Sequence, residues 1–439
     1  MDKAHTHDVI IIGGGISGTA LLYLLAQYSD INDVMLLEKY NVIANVNSHG
    51  RNNSQTLHCG DIETNYTLEK ALQVKASANM VVRYAVGLKN KDEILYKYSK
   101  MVIGVGDKEV RQLRERFREF GPHYPGMQLL EKDQIEKVEP AVINGRKEDI
   151  VALAVLDEYT AVNFQALSQS FVEQATSVKG KTVEVMLNSK VSKIKKSANG
   201  YTVKTSKGNH EAKFVVVSSG GHSLLFAHRM GYGQEFSCLP MAGSFYFAPD
   251  VLKGKVYTVQ NDKLPFAAIH GDPDVLVPGK TRLGPTALAL PVLERYNWKT
   301  LPEFLYILKL DINVVKTLWG LLRVADIRNY LFKNMCFEIP FIRRHLFLND
   351  ARKIIPGLKL KDLTFAKKTG GIRPVMIDKK EHCLHLGEAK LNTGHGLIFN
   401  MTPSPGATSC LGNAEKDLEI ITDYLGASFD NERLKRDLK

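Results

Sequence analysis

The stretch IIIGGGISGTALLYLLAQY at residues 10–28 decides how this chain folds. An apolar run ends in three consecutive glycines, and apolar residues then recur at the spacing of a helix. Residues 8–12 and 34–37 read as two short buried strands on either side of that helix. The pattern predicts a βαβ unit of about 30 residues.

The glycines within this unit predict a dinucleotide site, because Gly13, Gly15 and Gly18 have the spacing GxGxxG. The first glycine permits a tight turn, the second lets a pyrophosphate approach the backbone, and the third lets helix and strand pack closely. A helix beginning at Ile16 and Ser17 offers free N–H groups to phosphate. A glycine-rich turn without a ligand is the alternative.

An acidic residue at the end of the second strand favours the dinucleotide. Glu38 lies twenty residues after Gly18, where it is placed to accept hydrogen bonds from ribose hydroxyls, and Lys39 follows it. The chain then enters NSHGRNNSQTLHCGDI at residues 47–62, which is polar and rich in turns. A nicotinamide dehydrogenase would continue its βα alternation here, so a cofactor wrapped by distant segments, FAD, fits better than NAD.

The rest of the sequence alternates between segments with helical spacing and segments with strand-like spacing. Asn163 is a good N-cap for a helix over 164–175. Alternating strands with turns at SANG and SKGN then end in the apolar residues 214–217, followed by Gly220 and Gly221. Residues 293–348 have a helical pattern with many aromatic and basic residues, and short strands from 365 lead to a last helix near 413–424.

Composition excludes several classes of protein. The chain has 439 residues, 44% of them apolar and 24% charged, as in a soluble globular protein with more than one domain. Five cysteines without CxxC spacing predict neither disulfides nor a metal site, and they favour a reducing compartment. A net charge of +11 favours an anionic partner, and nucleic acid ranks lowest because no recognition motif occurs.

Five longer segments resemble a known family. They are SHGRNNSQTLHCGDIETNYT, CLPMAGSFYF, KVYTVQNDKLPFAAIHGDP, KTRLGPTAL and FNMTPSPGATSCLGNA. In this order they resemble the FAD-dependent malate:quinone oxidoreductases, especially the shorter bacterial form, along nearly the whole chain. A wider kinship links them to L-2-hydroxyglutarate oxidases and to the glycine oxidase and D-amino-acid oxidase group. Residues 55–58 depart from the longer malate enzymes, which have a glycine-threonine-glycine-histidine run there.

This resemblance implies an α/β fold: a Rossmann-like FAD-binding domain of the glutathione-reductase and D-amino-acid-oxidase type with an inserted α+β substrate domain built on an antiparallel sheet. We assign 1–80, 150–235 and 365–439 to the FAD domain and 81–149 and 236–364 to the substrate domain. The implied reaction oxidises L-malate to oxaloacetate and passes the electrons to quinone. Alternatives are another 2-hydroxy acid, such as lactate or L-2-hydroxyglutarate, and a lipid- or nucleic-acid-binding protein that has lost activity.

Two arginines and three histidines are the candidates for chemistry. Arg373, in GGIRPV, is the expected carboxylate anchor, and Arg282, in KTRLGPTA, is the second cation; the alternatives are a surface arginine and a structural ion pair. His270 is the preferred base, with His58 as the alternative base or flavin neighbour. His395 is expected near the flavin-binding end, where its role is to order a loop.

The cofactor contacts are spread along the chain. Asn53, Ser54 and Gln55 are expected to hydrogen-bond the flavin or ribityl chain, and the C-terminal helix is expected to point its N-terminus at the flavin. The remaining expected contacts are Val191, Gly220, Gly370, Gly371, Pro405, Gly406 and Ala407.

The expected electron acceptor places the enzyme at a membrane. Quinone is dissolved in the bilayer, and no apolar run reaches the ~18 residues of a spanning helix. The segment near 293–348 is therefore predicted to touch the membrane surface, on the cytoplasmic face of the bacterial inner membrane. Ordinary packing helices are the alternative, and the oligomeric state stays open.

Overall fold

A computed structural model describes residues 5–260, 268–385, 388–402 and 405–439. Two of the quoted motifs are therefore described only in part, because residues 261–267 and 403–404 lie outside this range. The described residues form 22 strands and 14 α-helices.

The strands are β1 (Thr6–Ile12), β2 (Asp33–Leu37), β3 (Leu95–Lys97), β4 (Lys100–Val105), β5 (Gln128–Glu131), β6 (Ile150–Val155), β7 (Tyr159–Val162), β8 (Thr182–Met186), β9 (Val191–Ser197), β10 (Gly200–Thr205), β11 (Gly208–Val217), β12 (Phe236–Ala242), β13 (Tyr246–Pro249), β14 (Lys255–Thr258), β15 (His270–Pro273), β16 (Lys280–Gly284), β17 (Leu288–Ala289), β18 (Thr364–Phe365), β19 (Ile372–Asp378), β20 (Cys383–His385), β21 (Ala389–Asn392) and β22 (Leu397–Met401).

The helices are α1 (Ile16–Tyr28), α2 (Leu68–Val86), α3 (Lys91–Ile94), α4 (Gly106–Phe120), α5 (Lys132–Val138), α6 (Pro140–Ile143), α7 (Phe164–Thr176), α8 (Gly221–Arg229), α9 (Leu301–Leu308), α10 (Ile312–Arg323), α11 (Ala325–Cys336), α12 (Arg343–Ala351), α13 (Cys410–Leu425) and α14 (Asn431–Leu438).

The first sheet is built around β1. Its order is β21-β22-β11-β1-β2-β8, parallel except at the β21 edge, and β9 and β10 extend β11 as an antiparallel meander. Val9 and Ile11 face one core with α1, α7 and α13, while Ile10 and Ile12 face another with α8. A strand buried on both faces is apolar throughout, which explains why β1 shows no alternation. The predicted βαβ unit and the α/β fold class are confirmed.

The three motif glycines bring strand, helix and neighbouring strand unusually close. Gly13 has φ +113°, and a Cβ there would lie 2.5 Å from the carbonyl oxygen of Ser218 after β11. A Cβ on Gly18 would lie 2.1 Å from the carbonyl oxygen of Gly13, whereas one on Gly15 would meet only Ser48 Oγ at 3.4 Å. The first and third glycines therefore serve packing, and the second leaves open space, as the motif predicts.

A second, eight-stranded sheet lies over the carboxyl ends of the first. Its order is β18-β13-β16-β15-β14-β4-β6-β5, antiparallel except between β14 and β4, and a four-stranded sheet β17-β12-β19-β20 adjoins it. The predicted boundary at residue 150 is too early, because β6 pairs with β4 and β5 in the second sheet. The return of the chain to the first sheet comes after Val155. The division into a cofactor unit and a substrate unit otherwise stays a prediction.

The helical pattern over 293–348 corresponds to α9, α10, α11 and most of α12. Among the residues that the structure describes, no helix combines the length and the apolar character needed to cross a bilayer. The last predicted helix is α13, which begins at Cys410 rather than 413, and α14 follows it unpredicted.

Replacing Gly18 by alanine is expected to destabilise the fold by about 1–3 kcal/mol, because the new methyl group would overlap the Gly13 carbonyl. Gly320→Ala is the matched control: it also lies within a helix, but open space surrounds its Cβ position, so alanine should leave stability equal or raise it by about 1 kcal/mol. The urea midpoint of each variant measures this. Equal midpoints for the two variants would contradict the packing role of Gly18.

Candidate active site

A cavity of about 1190 Å³ lies where the carboxyl ends of the first sheet meet the second sheet. Segments from every part of the chain line it: the glycine loop, the polar stretch 44–66, residues 189–192 and 218–222, strands β12 and β19, and residues 405–408. In open α/β sheets, ligands bind at this edge, outside the carboxyl ends of the strands. The cavity is therefore the candidate active site.

The nucleotide end of the cavity fits a pyrophosphate and a ribose. Gly15 leaves its backbone open to the cavity, and the start of α1 faces the same space. The Gly14 N–H donates to Glu38 Oε2 at 2.8 Å and the Tyr40 N–H to Glu38 Oε1 at 2.9 Å, so the carboxylate is fixed at the cavity wall. Burial raises the pKa of Glu38.

Most of the predicted cofactor contacts lie in the cavity wall. These are Gly13, Gly15, Ile16, Ser17, Glu38, Lys39, Asn53, Ser54, Val191, Gly220, Gly371, Pro405, Gly406 and Ala407. Gly18, Gln55 and Gly370 are not among the described residues that line it. Gly18 instead supports the packing of α1 on Gly13.

Gln55 is a correction to the prediction. Its side chain is buried and donates to the carbonyl of Gly50 at 3.1 Å and to Asp274 Oδ1 at 3.2 Å, while its Oε1 accepts from the Val275 N–H at 3.0 Å. These three hydrogen bonds engage both amide hydrogens and the amide oxygen within the protein. Gln55 therefore fastens the polar stretch to the second sheet rather than binding flavin.

His58 and Glu63 form a pair at the cavity wall. His58 Nδ1 lies 2.7 Å from Glu63 Oε1, and the His58 backbone N–H donates to Thr408 Oγ1. Burial acts to raise the pKa of Glu63, but the hydrogen bond and charge of His58 outweigh it and lower that pKa below its ordinary value. Glu63 therefore stays ionised and holds the imidazole ring in one orientation.

His270 lies at the start of β15 and is almost wholly buried, with one edge at the cavity. Its ring stacks on Tyr257 with 4.4 Å between centroids, and Nε2 lies 3.3 Å from Asp272 Oδ2. Burial lowers the pKa of His270 to about 4, against an opposing effect of Asp272. The ring is therefore neutral at neutral pH, and its other nitrogen, Nδ1, lies 3.4 Å from the carbonyl oxygen of Ala268.

Arg373 projects from β19 into the cavity wall. Among the described residues, no carboxylate pairs with its guanidinium, and burial lowers its pKa against the smaller opposing effects of Tyr66 and Tyr330. Arg373 is half-buried, and a partly desolvated cation without a charged partner is costly to maintain unless a ligand supplies the anion. This is the property expected of a carboxylate anchor.

Arg282 is placed differently from the prediction. It is fully buried in β16, where its guanidinium donates to the carbonyl of Gly50 at 3.1 Å, lies 3.4 Å from Asp274 Oδ2 and packs on the Phe245 ring. It is not among the described residues that line the cavity. The structural ion pair, the alternative to a substrate contact, describes Arg282 better.

His395 also departs from the prediction. It is exposed in the turn between β21 and β22, at the start of β22, whereas the cavity lies at the end of that strand, where Asn400 and Thr402 line it. Its carbonyl accepts a hydrogen bond from the Tyr201 hydroxyl at 2.6 Å. His395 therefore orders a turn remote from the flavin-binding end.

Several cavity residues carried no sequence signal. Tyr257 stacks on His270, Tyr66 and Lys70 line the cavity, and Ser48 Oγ accepts from the Ile16 N–H at 3.0 Å; of these, Tyr66 lies close enough to Arg373 to act on its charge. None stands at a motif position that indicates chemistry, and their proximity depends on contacts between segments far apart in the chain. Only the density of polar residues in 47–66 hinted at their involvement.

An ion pair ties the nucleotide end to the helical segment. Lys39 pairs with Glu294, and the Tyr40 hydroxyl donates to Glu294 Oε2 at 2.6 Å. Burial acts to raise the pKa of Glu294, but the charge of Lys39 and three hydrogen bonds lower it to about 2. Both residues line the cavity.

The glycine loop, the fixed Glu38, and the cavity-lining Arg373, His58 and His270 define an FAD-dependent oxidoreductase. Known structures agree on the fold: L-α-glycerophosphate oxidase from Mycoplasma pneumoniae with FAD bound (TM-score 0.63, 18% identity, 95% of each chain) and glycine oxidase from Geobacillus kaustophilus (TM-score 0.66, 15% identity, 95% of each chain).

The family follows from closer relatives. The family model for malate:quinone oxidoreductase matches residues 5–282, and a probable malate:quinone oxidoreductase of Campylobacter jejuni is 47% identical over 98% of both chains. The chain belongs to the malate:quinone oxidoreductase family. This confirms the predicted family, FAD as the cofactor, and malate and quinone as the substrates.

Proposed function

We propose that L-malate is oxidised to oxaloacetate in this cavity, with Arg373 binding a carboxylate and His270 removing the hydroxyl proton. FAD, when bound, accepts the hydride from the carbon that bears the hydroxyl. The observation that carries the proposal is the cavity-lining guanidinium of Arg373, which has no carboxylate partner among the described residues.

The charge of Arg373 orients the substrate. A guanidinium binds a carboxylate through two parallel hydrogen bonds, which fixes direction as well as position. Lys70 lines the same cavity beside Tyr66, whose hydroxyl is electrostatically coupled to Arg373. We assign the second carboxylate of malate to Lys70, since Arg282 is already engaged by Asp274 and Gly50.

His270 is the stronger candidate for the base because it is neutral and its partner is acidic. Once the ring has accepted a proton, the carboxylate of Asp272 at 3.3 Å stabilises the imidazolium. Lys255 Nζ lies 3.0 Å from the other oxygen of Asp272 and holds that carboxylate in place. His58, with Glu63 in the corresponding place, is the alternative base.

Arg373→Lys is expected to raise the KM for malate about tenfold or more, because a lysine cannot form the paired hydrogen bonds of a guanidinium. Steady-state kinetics with a water-soluble dye as acceptor measures this. Arg328→Lys, at an exposed position on α11, is the matched control and should leave KM unchanged. An unaltered KM in Arg373→Lys, with flavin absorbance retained, would refute the anchor.

His270→Asn is expected to lower kcat by about 10²–10⁴ with little effect on KM, and His58→Asn by less than about tenfold. The base must be neutral to work, and burial lowers the pKa of His270 from 6.5 to about 4. The kcat of the unmodified enzyme should therefore hold as pH falls through 6.5 and decline only near 4. A larger loss in His58→Asn than in His270→Asn would transfer the role to His58.

The helical segment forms an exposed apolar surface. Of the 21 large apolar side chains that are exposed in the described residues, 16 lie between Tyr296 and Leu346. On α10 the exposed residues Ile312, Val315, Trp319 and Leu322 recur at helical spacing, so the face turned to solvent is the apolar one. Soluble monomers rarely expose a contiguous surface of this kind.

We assign this surface, Tyr296 to Leu346, to a lipid bilayer. Exposed basic residues Lys316, Arg323, Arg328 and Lys333 stand among its apolar side chains, an arrangement suited to anionic headgroups. Peripheral contact brings the enzyme to its membrane-dissolved acceptor. The five free cysteines support the cytoplasmic face, where thiols stay reduced.

Trp319→Ser combined with Phe332→Ser is expected to reduce co-sedimentation with anionic lipid vesicles at least about fivefold, because both side chains are more than half exposed and leave water on binding. Leu72→Ser, exposed but on α2, is the control and should bind as the unmodified protein does. Malate oxidation with the dye should persist in all three. The assignment to lipid is wrong if the unmodified protein does not co-sediment with vesicles. It is also wrong if the unmodified protein is a dimer and the double variant a monomer.

A further inference from the structure

Two residues of the proposed membrane surface reach into the active-site cavity. Leu321 near the end of α10 and Ile327 near the start of α11 both line it, although the helices that carry them face solvent on their outer side. Leu322 and Val324, close to them along the chain, are 41% and 43% exposed. The turn between α10 and α11 therefore touches the cavity on one side and the outside on the other.

The cavity wall next to this turn is apolar. Met241 and Ala287 line it from β12 and the segment before β17, and Leu384 lines it from β20. The same three side chains pack with Leu331 of α11 in one small cluster. A malate dianion gains nothing from such a wall, because burying its carboxylates beside apolar carbon costs free energy.

We infer that the α10–α11 turn and β20 frame the passage by which quinone reaches the reduced cofactor. The inference rests on the proposed function, since it requires malate oxidation in this cavity and docking of the helical segment on lipid. A quinone ring with an isoprenoid tail is apolar and leaves the bilayer next to the exposed residue Val324 in the α10–α11 turn. It then passes Leu321 and Ile327 without crossing water.

The electron balance closes without another reactant. Malate loses two electrons and two protons to become oxaloacetate, and quinone gains two electrons and two protons to become the quinol. The two substrates meet in one cavity: Arg373, the malate anchor, pairs with Met241 across β12 and β19, so it borders the apolar wall that Leu321 and Ile327 continue.

Two variants one residue apart test the passage. Leu321→Arg places a charge in the cavity wall, and Leu322→Arg places the same charge on the exposed side of the same helix. Both holoenzymes are assayed in detergent, with a short-tailed quinone and with a water-soluble dye, so that vesicle binding plays no part. We expect Leu321→Arg to lower kcat/KM for the quinone at least tenfold while the dye rate stays within twofold, and Leu322→Arg to leave both rates within twofold.

The outcomes separate the passage from the proposed function. Quinone rates that fall equally in both variants, or in neither, overturn the passage while dye-linked malate oxidation still upholds the proposed function. An unmodified protein that oxidises no malate with either acceptor refutes the proposed function itself. If Leu321→Arg loses its flavin absorbance, Ile327→Trp, which narrows the same wall without a charge, gives the decisive quinone-to-dye ratio.

Discussion

The close backbone contact at Gly13, Gly18 and Ser218 is the constraint on which this molecule depends. Because hydrogen atoms alone stand at the two glycines, β1, α1 and β11 approach more closely than any side chain would allow. The Ser218 N–H donates to the Ile12 carbonyl and the Gly13 N–H to the Leu37 carbonyl, which aligns the ends of three strands. The cavity lies at the edge of the sheet where these strand ends meet. The turn expected to bind phosphate contains Gly13, one of the residues in this contact.

A buried polar cluster joins that edge to the second sheet. Lys255 donates to Thr56 and lies beside Asp272, while Gln55 and Arg282 meet at the carbonyl of Gly50 and at Asp274. Buried charges of this kind contribute little net stability but penalise any other arrangement. The polar stretch after β2 is therefore held against β14 to β16, and the positions of His58 and His270 are set by the same contacts.

The cofactor end of the site could be predicted from the sequence because its signals are local. GxGxxG and Glu38 belong to one βαβ unit, and their geometry follows from backbone rules. Gln55 and Arg282 were misplaced because their residue types suit a ligand equally well as a buried partner, and only the fold shows that Asp274 and Gly50 engage them. Tyr257 was missed although it lies in a quoted family segment, because the segment gives it no role, and Lys70 was missed because it belongs to no quoted motif. The boundary at 150 failed because an apolar strand such as β6 fits either sheet.

The Lys39–Glu294 ion pair connects the nucleotide end of the cavity to the helical segment that follows Glu294. Glu294 precedes the helices of the proposed membrane surface, while Lys39 follows Glu38 at the nucleotide end of the cavity. If FAD binding and the ordering of this segment both depend on the Lys39–Glu294 pair, each favours the other by the same coupling free energy. If lipid binds the surface as proposed, loss of flavin weakens vesicle binding, and vesicle binding raises the equilibrium affinity for flavin by the same factor.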